Sequence, residues 1–144
     1  MLKKIPAVIS PELIKVLMEM GHGDELCLAD GNFPSVSMGK RVVRMDGHGM
    51  EEILKAILQY FPLDTFVDKP VALMRTVSDA EPQPEIWDRY RKVIENSDEH
   101  TAFSGFEMVE RFAFYERAKS CFAVVASGEG ALYANIILKK GVVK

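Results

Sequence analysis

The chain is poor in the residues that would signal redox, covalent or nucleic-acid chemistry. It has 2 cysteines in 144 residues, Cys27 and Cys121, in Leu-Cys-Leu and Ser-Cys-Phe contexts. No Cys-x-x-Cys pair and no dense cysteine framework is present, so both read as buried, reduced thiols of a cytosolic protein. An excess of positive charge is also missing: the net charge is −3 and the pI about 5.6. Nucleic acid and anionic membrane surfaces are therefore not expected partners. No apolar run approaches the ~20 residues of a membrane helix, and the start, Met-Leu-Lys-Lys-Ile-Pro, lacks the apolar core of a signal peptide. A cytoplasmic location is the expectation. There is no GxxxxGK(S/T) loop and no GxGxxG after a strand, which disfavours nucleotide binding. There is no GxSxG elbow and no HxH or HExxH spacing, so neither covalent catalysis nor a metal is expected, and no cofactor is implied.

What is present suits one α/β domain over residues 1–144. A chain of this length buries roughly 70% of the surface that its unfolded form exposes and needs no staple. Ser10-Pro11-Glu12 is a strong helix start, with Leu13, Val16, Leu17 and Met20 on one face and Gly21 as the natural C-terminal cap. Glu25–Ala29 reads as a short buried strand ending at Asp30, followed by a loop to Lys40. Further strands are expected at Arg41–Arg44, Pro70–Val77, Phe122–Ala126 and Tyr133–Leu138. Helices are expected at Met50–Tyr60, Pro84–Asn96 and Glu107–Ser120, with Ser97–Phe106 irregular. Alternation of helices with short apolar strands predicts a mostly parallel sheet covered on its faces. In such sheets ligands bind beyond the carboxyl ends of the strands, where Asp30 falls.

The candidate chemistry centres on His22 and Asp30. His22 lies between Gly21 and Gly23, sterically open and just past a helix. Asp24, Glu25 or Asp30 could tune it, so it suits a general acid or base. Asp30 could accept bonds from hydroxyls or orient His22; as a plain turn former it would do neither. His48 reads as an exposed turn residue. In Arg111-Phe112-Ala113-Phe114-Tyr115-Glu116-Arg117-Ala118 the aromatics suit a core. An arginine, a tyrosine and ring faces on one helix also suit a sugar. Tyr133, Ala134 and Asn135, opening the last strand, offer polar groups to a hydroxyl-rich ligand.

Together these pieces resemble a known family. Glu-Met-Gly-His-Gly-Asp-Glu around His22, then Asp30 and Phe33-Pro34, resembles the start of the RbsD/FucU family of D-ribose pyranases and L-fucose mutarotases. The Arg111–Ala118 segment resembles the fucose branch, and Tyr133-Ala134-Asn135 with Ile136 to Gly141 resembles the C-terminal strand. The likeness runs from about Ile9 to Val142. It implies a three-layer α/β/α, RbsD-like fold assembled into rings, commonly decameric, with sites near subunit contacts. It implies a monosaccharide substrate, His22 as proton donor, and Asp30, Arg111, Tyr133, Ala134 and Asn135 as sugar-binding residues, with Tyr115 as a possible addition. Arg111 stands where the ribose branch typically has histidine, which favours L-fucose. Tyr-Ala-Asn is the usual ribose-branch form, and Asn32 replaces a residue often histidine in the fucose branch, so D-ribose is the alternative. The alternative in kind is a non-catalytic sugar-binding accessory of an uptake system.

Overall fold

In the computed structural model, which describes residues 1–144, Ser10 caps the first helix as its residue type suggests. Its hydroxyl accepts the Leu13 N–H, and Pro11 occupies the first turn of α1 (Pro11–Glu19). Leu13, Val16 and Leu17 are the buried face. The helix does not end on Gly21 as expected: Met20 is already extended, and the left-handed residue is Gly23, at φ +85°. That conformation belongs to glycine and turns the chain into β1 (Glu25–Ala29).

The remaining elements are α2 (Ser35–Met38), β2 (Val42–Met45), α3 (Met50–Ile57), β3 (Val71–Met74), α4 (Glu85–Glu95), β4 (Glu107–Val109), α5 (Arg111–Ser120), β5 (Ala123–Ser127) and β6 (Ile136–Lys139). A single 3₁₀ turn spans His100–Ala102. Two of these differ in type from the sequence expectation. Ser35–Met38 is one turn of helix inside the expected loop. Glu107–Val109 is a strand rather than the start of the last helix, which begins only after Glu110. The Glu110 carboxylate accepts the N–H groups of Phe112 and Ala113, both at 3.0 Å, and so closes the helix N-terminus at Arg111. Those bonds hold the Glu110 carboxyl below its ordinary value.

All six strands form one sheet in the order β2-β5-β1-β6-β3-β4. The β2–β5, β5–β1 and β3–β4 pairs are parallel, whereas β6 runs antiparallel to both β1 and β3. The segment between β5 and β6 carries no helix and is too short for a parallel crossover, which takes a dozen residues or more, so the last strand must run back. Alternate residues of each strand face opposite layers. Leu26 and Leu28 point with Val43, Leu73, Val125 and Leu138 into a core closed by α1, α3 and α4. Cys27 and Ala29 point with Ala72, Val124 and Ile137 into a smaller core closed by Phe33 and by Phe114 and Ala118 of α5. This is the α/β/α layering expected. Both cysteines are buried and unpaired. Burial pushes the Cys121 thiol up to about 12 and raises that of Cys27 well above its ordinary value. No helix is long and apolar enough to cross a membrane.

Candidate functional site

The carboxyl end of β1 delivers Asp30 into a cleft of about 240 Å³. The same cleft is lined by Arg111 and Tyr115 of α5, and by Tyr133 and Asn135 from the turn before β6. Phe33, Met74, Val77 and Leu132 supply its apolar wall. Residues more than 100 positions apart meet here because β6 runs antiparallel to β1. Leu28 pairs with Ile136, so Asn135 lies beside Asp30 and its side-chain oxygen accepts the Asp30 N–H at 2.9 Å. The Asp30 carboxylate accepts the Asn32 N–H at 2.9 Å.

Tyr133, Ala134 and Asn135 do not begin the last strand. They form the turn that precedes it, and Tyr133 takes φ +56°. A tyrosine held there stores roughly 1–3 kcal/mol of backbone strain. Helix α4 holds the turn: Trp87 Nε1 donates to the Tyr133 carbonyl at 2.8 Å and the Tyr90 hydroxyl to the Ala134 carbonyl at 2.7 Å. Ala134 is thus a buried backbone anchor, and its methyl lies in the larger core. Strain maintained by two buried donors sets the direction of the Tyr133 side chain, whose hydroxyl donates to Glu81 at 3.2 Å.

Arg111 is exposed at the cleft mouth. Its Nε donates to the Tyr115 hydroxyl at 3.1 Å, which raises the guanidinium further above its ordinary value. Tyr115 in turn packs against Phe33, with ring centroids 5.5 Å apart. Arg111 therefore presents fixed N–H donors over an aromatic floor. No group of three His, Cys, Asp or Glu side chains stands close enough together to hold a metal ion.

His22 is not part of this cleft. It precedes β1, whereas Asp30 follows it, and a five-residue strand separates the two by about 16 Å. At its own end of the sheet the Gly23 N–H donates to the Lys140 carbonyl at 2.8 Å. The His22 Nε2 lies 3.2 Å from Oδ1 of Asp64. Asp30 therefore does not orient His22. Asp64 is the carboxylate that faces it, and nothing in its local sequence, Pro62-Leu63-Asp64-Thr65-Phe66, distinguishes it from an ordinary turn residue. His48, as expected, lies in a turn, with Nδ1 3.1 Å from Glu52.

Asp30 is buried, and desolvation raises its carboxyl above the ordinary value despite the backbone N–H groups that oppose the shift. The native state thus binds this proton more readily than the unfolded chain does. Its contribution to stability is complete below the unfolded pKa and is lost as pH rises through the folded one. Asp30→Asn keeps an oxygen for the Asn32 N–H and removes the buried charge. It should melt higher than the wild type at pH 7, and the gap should close as the pH approaches 3 in a calorimetric series. A lower melting temperature at pH 7 would show that the carboxylate is retained for stability. The expected direction is the one seen where a costly group is kept for function.

Comparison with known proteins follows from this geometry. The model of the RbsD / FucU transport protein family matches residues 3–143. The fucose mutarotase of Homo sapiens is 48% identical over 147 residues, covering 98% of this chain and 94% of that protein. The L-fucose mutarotase of Actinobacillus pleuropneumoniae is 49% identical over 142 residues, covering 99% and 97%. A crystal structure of the fucose mutarotase from Streptococcus pneumoniae in complex with L-fucose superimposes with a TM-score of 0.90 at 49% identity. It covers 99% of this chain and 100% of that one.

Proposed function

The chain belongs to the RbsD/FucU family, and from that membership we propose that it is an L-fucose mutarotase, an isomerase of the free sugar. Mutarotation requires a proton on the ring oxygen and loss of one from the anomeric hydroxyl. The bond between C1 and the ring oxygen breaks, the open aldehyde turns about C1–C2, and the ring recloses on the other face. Proton movement alone is enough, so the protein has to supply an acid–base group and a mould for the hydroxyls.

The observation that carries this reading is the convergence of Asp30, Arg111, Tyr115, Tyr133 and Asn135 in one small cleft with an apolar wall. Asp30 accepts from sugar hydroxyls, and Arg111 and the Asn135 amide donate to them. The Tyr115 and Tyr133 rings take the C–H face, and Phe33, Met74 and Leu132 suit the methyl group of a 6-deoxy sugar. His22 supplies the proton. Because it stands at the other end of the sheet, the cleft is served by His22 from a second copy of the chain. Exposed apolar side chains mark both ends: Phe66 beside His22, and Val77, Phe112 and Leu132 around the cleft. Contact between unlike ends of one molecule is a head-to-tail interface, which forms a ring when the rotation between neighbours closes. A decamer is the ring that the family resemblance implies.

The direct test is saturation transfer between the anomeric proton signals of L-fucose. Added protein should speed exchange well above the spontaneous rate. A parallel arm with D-ribose follows pyranose–furanose exchange and should show a smaller effect. Binding of L-fucose by calorimetry with no acceleration would replace this reading with a sugar-binding accessory. Faster exchange of D-ribose than of L-fucose would move the chain to the other branch of the family.

A further inference from the structure

The side chain that His22 hydrogen-bonds lies 42 positions away. We infer that Asp64 is the positioning residue of His22. Its buried carboxylate holds the imidazole proton on Nε2 and leaves Nδ1 as the nitrogen that exchanges a proton with the sugar. The inference rests on the assignment of His22 as proton donor.

Asp64 is built into the fold more firmly than the histidine it serves. Its side chain is 4% exposed against 45% for His22. Oδ1 accepts the Phe66 N–H at 3.0 Å as well as facing Nε2 at 3.2 Å. The Asp64 backbone N–H donates to the Lys139 carbonyl at 3.0 Å, and the Gly141 N–H to the Pro62 carbonyl at 2.8 Å. A Cβ at Gly141 would meet the Leu63 carbonyl oxygen at 2.5 Å and the Asp64 Cα at 2.9 Å, so the chain passes close against this turn. His22 is tied to the same place, because Gly23 donates to Lys140. The pair therefore shares one scaffold, the end of β6. The Phe66 ring lies 5.2 Å from the imidazole at a tilt of 51° and closes one side of it.

The chemistry then fixes the tautomer. A carboxylate only accepts, so the ring nitrogen facing it carries hydrogen in both the neutral and the charged form. The free lone pair of the neutral ring is then on the other nitrogen. Nδ1 has no hydrogen-bond partner within the chain. The neighbouring charges are already engaged: Asp24 accepts the Gly21 N–H at 2.7 Å, and Lys139 and Arg117 both pair with Glu25. Asp64 is the group left to set the direction of the ring.

Long-range ¹⁵N–¹H correlation of the histidine rings reads this directly, with the ring in its neutral form. The wild type should show His22 as the Nε2–H tautomer; an Nδ1–H tautomer overturns the inference. Asp64→Ala removes Oδ1, the one oxygen that both accepts the Phe66 N–H and faces Nε2. It should lose the single tautomer, and kcat should fall about 10²–10⁴-fold with KM little changed. Asp64→Ala with an unchanged tautomer and a rate within about threefold of wild type also overturns it. The spectrum does not depend on catalysis. If His22→Gln leaves exchange intact while the Nε2–H tautomer is present, the proton-donor assignment has failed and the orientation stands.

Discussion

His22→Ala should slow the exchange of α- and β-L-fucose by about 10²–10⁴-fold, the span that a positioned acid–base group normally contributes. Sugar binding should survive nearly unchanged, because Asp30, Arg111, Tyr133 and Asn135 form their cleft without the histidine. The alanine variant also leaves the buried Asp64 carboxylate with one partner fewer, which costs about 1–3 kcal/mol. His22→Gln separates the two effects. Its amide can still donate to Asp64, so the fold keeps the bond, but it cannot give or take a proton near neutral pH. Saturation transfer at the anomeric protons should put both variants near the enzyme-free rate, while calorimetry shows fucose affinity within about threefold of wild type. A glutamine variant exchanging anomers at the native rate would remove His22 from the mechanism, and Asp30, with its raised carboxyl, would be the next acid to examine.

How much of this was legible beforehand depended on the range of the interactions. The first helix was written locally, in Ser10, Pro11 and an apolar face. The buried strands at β1 and β5 were written locally too, as apolar runs bounded by turn residues. β4 was not: Glu107-Met108-Val109 is only partly buried and exists because β3 offers it a parallel edge. Its sequence runs without a break into a helical pattern, and the true boundary is the Glu110 cap. The turn at Tyr133 was hidden in the same way. Tyr133 to Leu138 reads as one strand, and only the donors from Trp87 and Tyr90 hold its first part back.

The site residues divide along the same line. Asp30 was expected at a strand end, and it follows β1 directly, because a strand end in an alternating α/β chain has a known address. That Arg111, Tyr133 and Asn135 join it followed from motif resemblance, and in the structure from the antiparallel course of β6. The separation of His22 from Asp30 was also implicit in the sequence, since the two residues bracket a single strand. Asp64 carried no signal at all. A partner 42 residues distant leaves no local periodicity, and its turn context offers a sufficient explanation of an aspartate by itself.

The separation of His22 from the cleft leads to the most discriminating expectation. Take two variants, His22→Ala and Asp30→Ala, each inactive alone. On the proposed head-to-tail arrangement, a working site in a mixed oligomer needs an intact His22 from one subunit and an intact Asp30 from the next. Random assortment of equal amounts makes about a quarter of the sites whole in a head-to-tail ring, so mixing should restore about that fraction of wild-type exchange. The subunits must first be dissociated and reassembled together, or co-expressed, because activity should not return if the two preformed rings are merely combined. If each chain carried a complete site, no mixture would recover anything, since every subunit would still lack one of the two groups. The two arrangements thus differ between a quarter and nothing, a gap that no modest change in stability can imitate. Phe66→Asp supplies the converse. It places a charge on the exposed apolar residue beside His22 and alters no residue of the cleft. It should break the ring by light scattering and abolish exchange while each subunit stays folded by circular dichroism. A monomer that retained full activity would end the shared-site model.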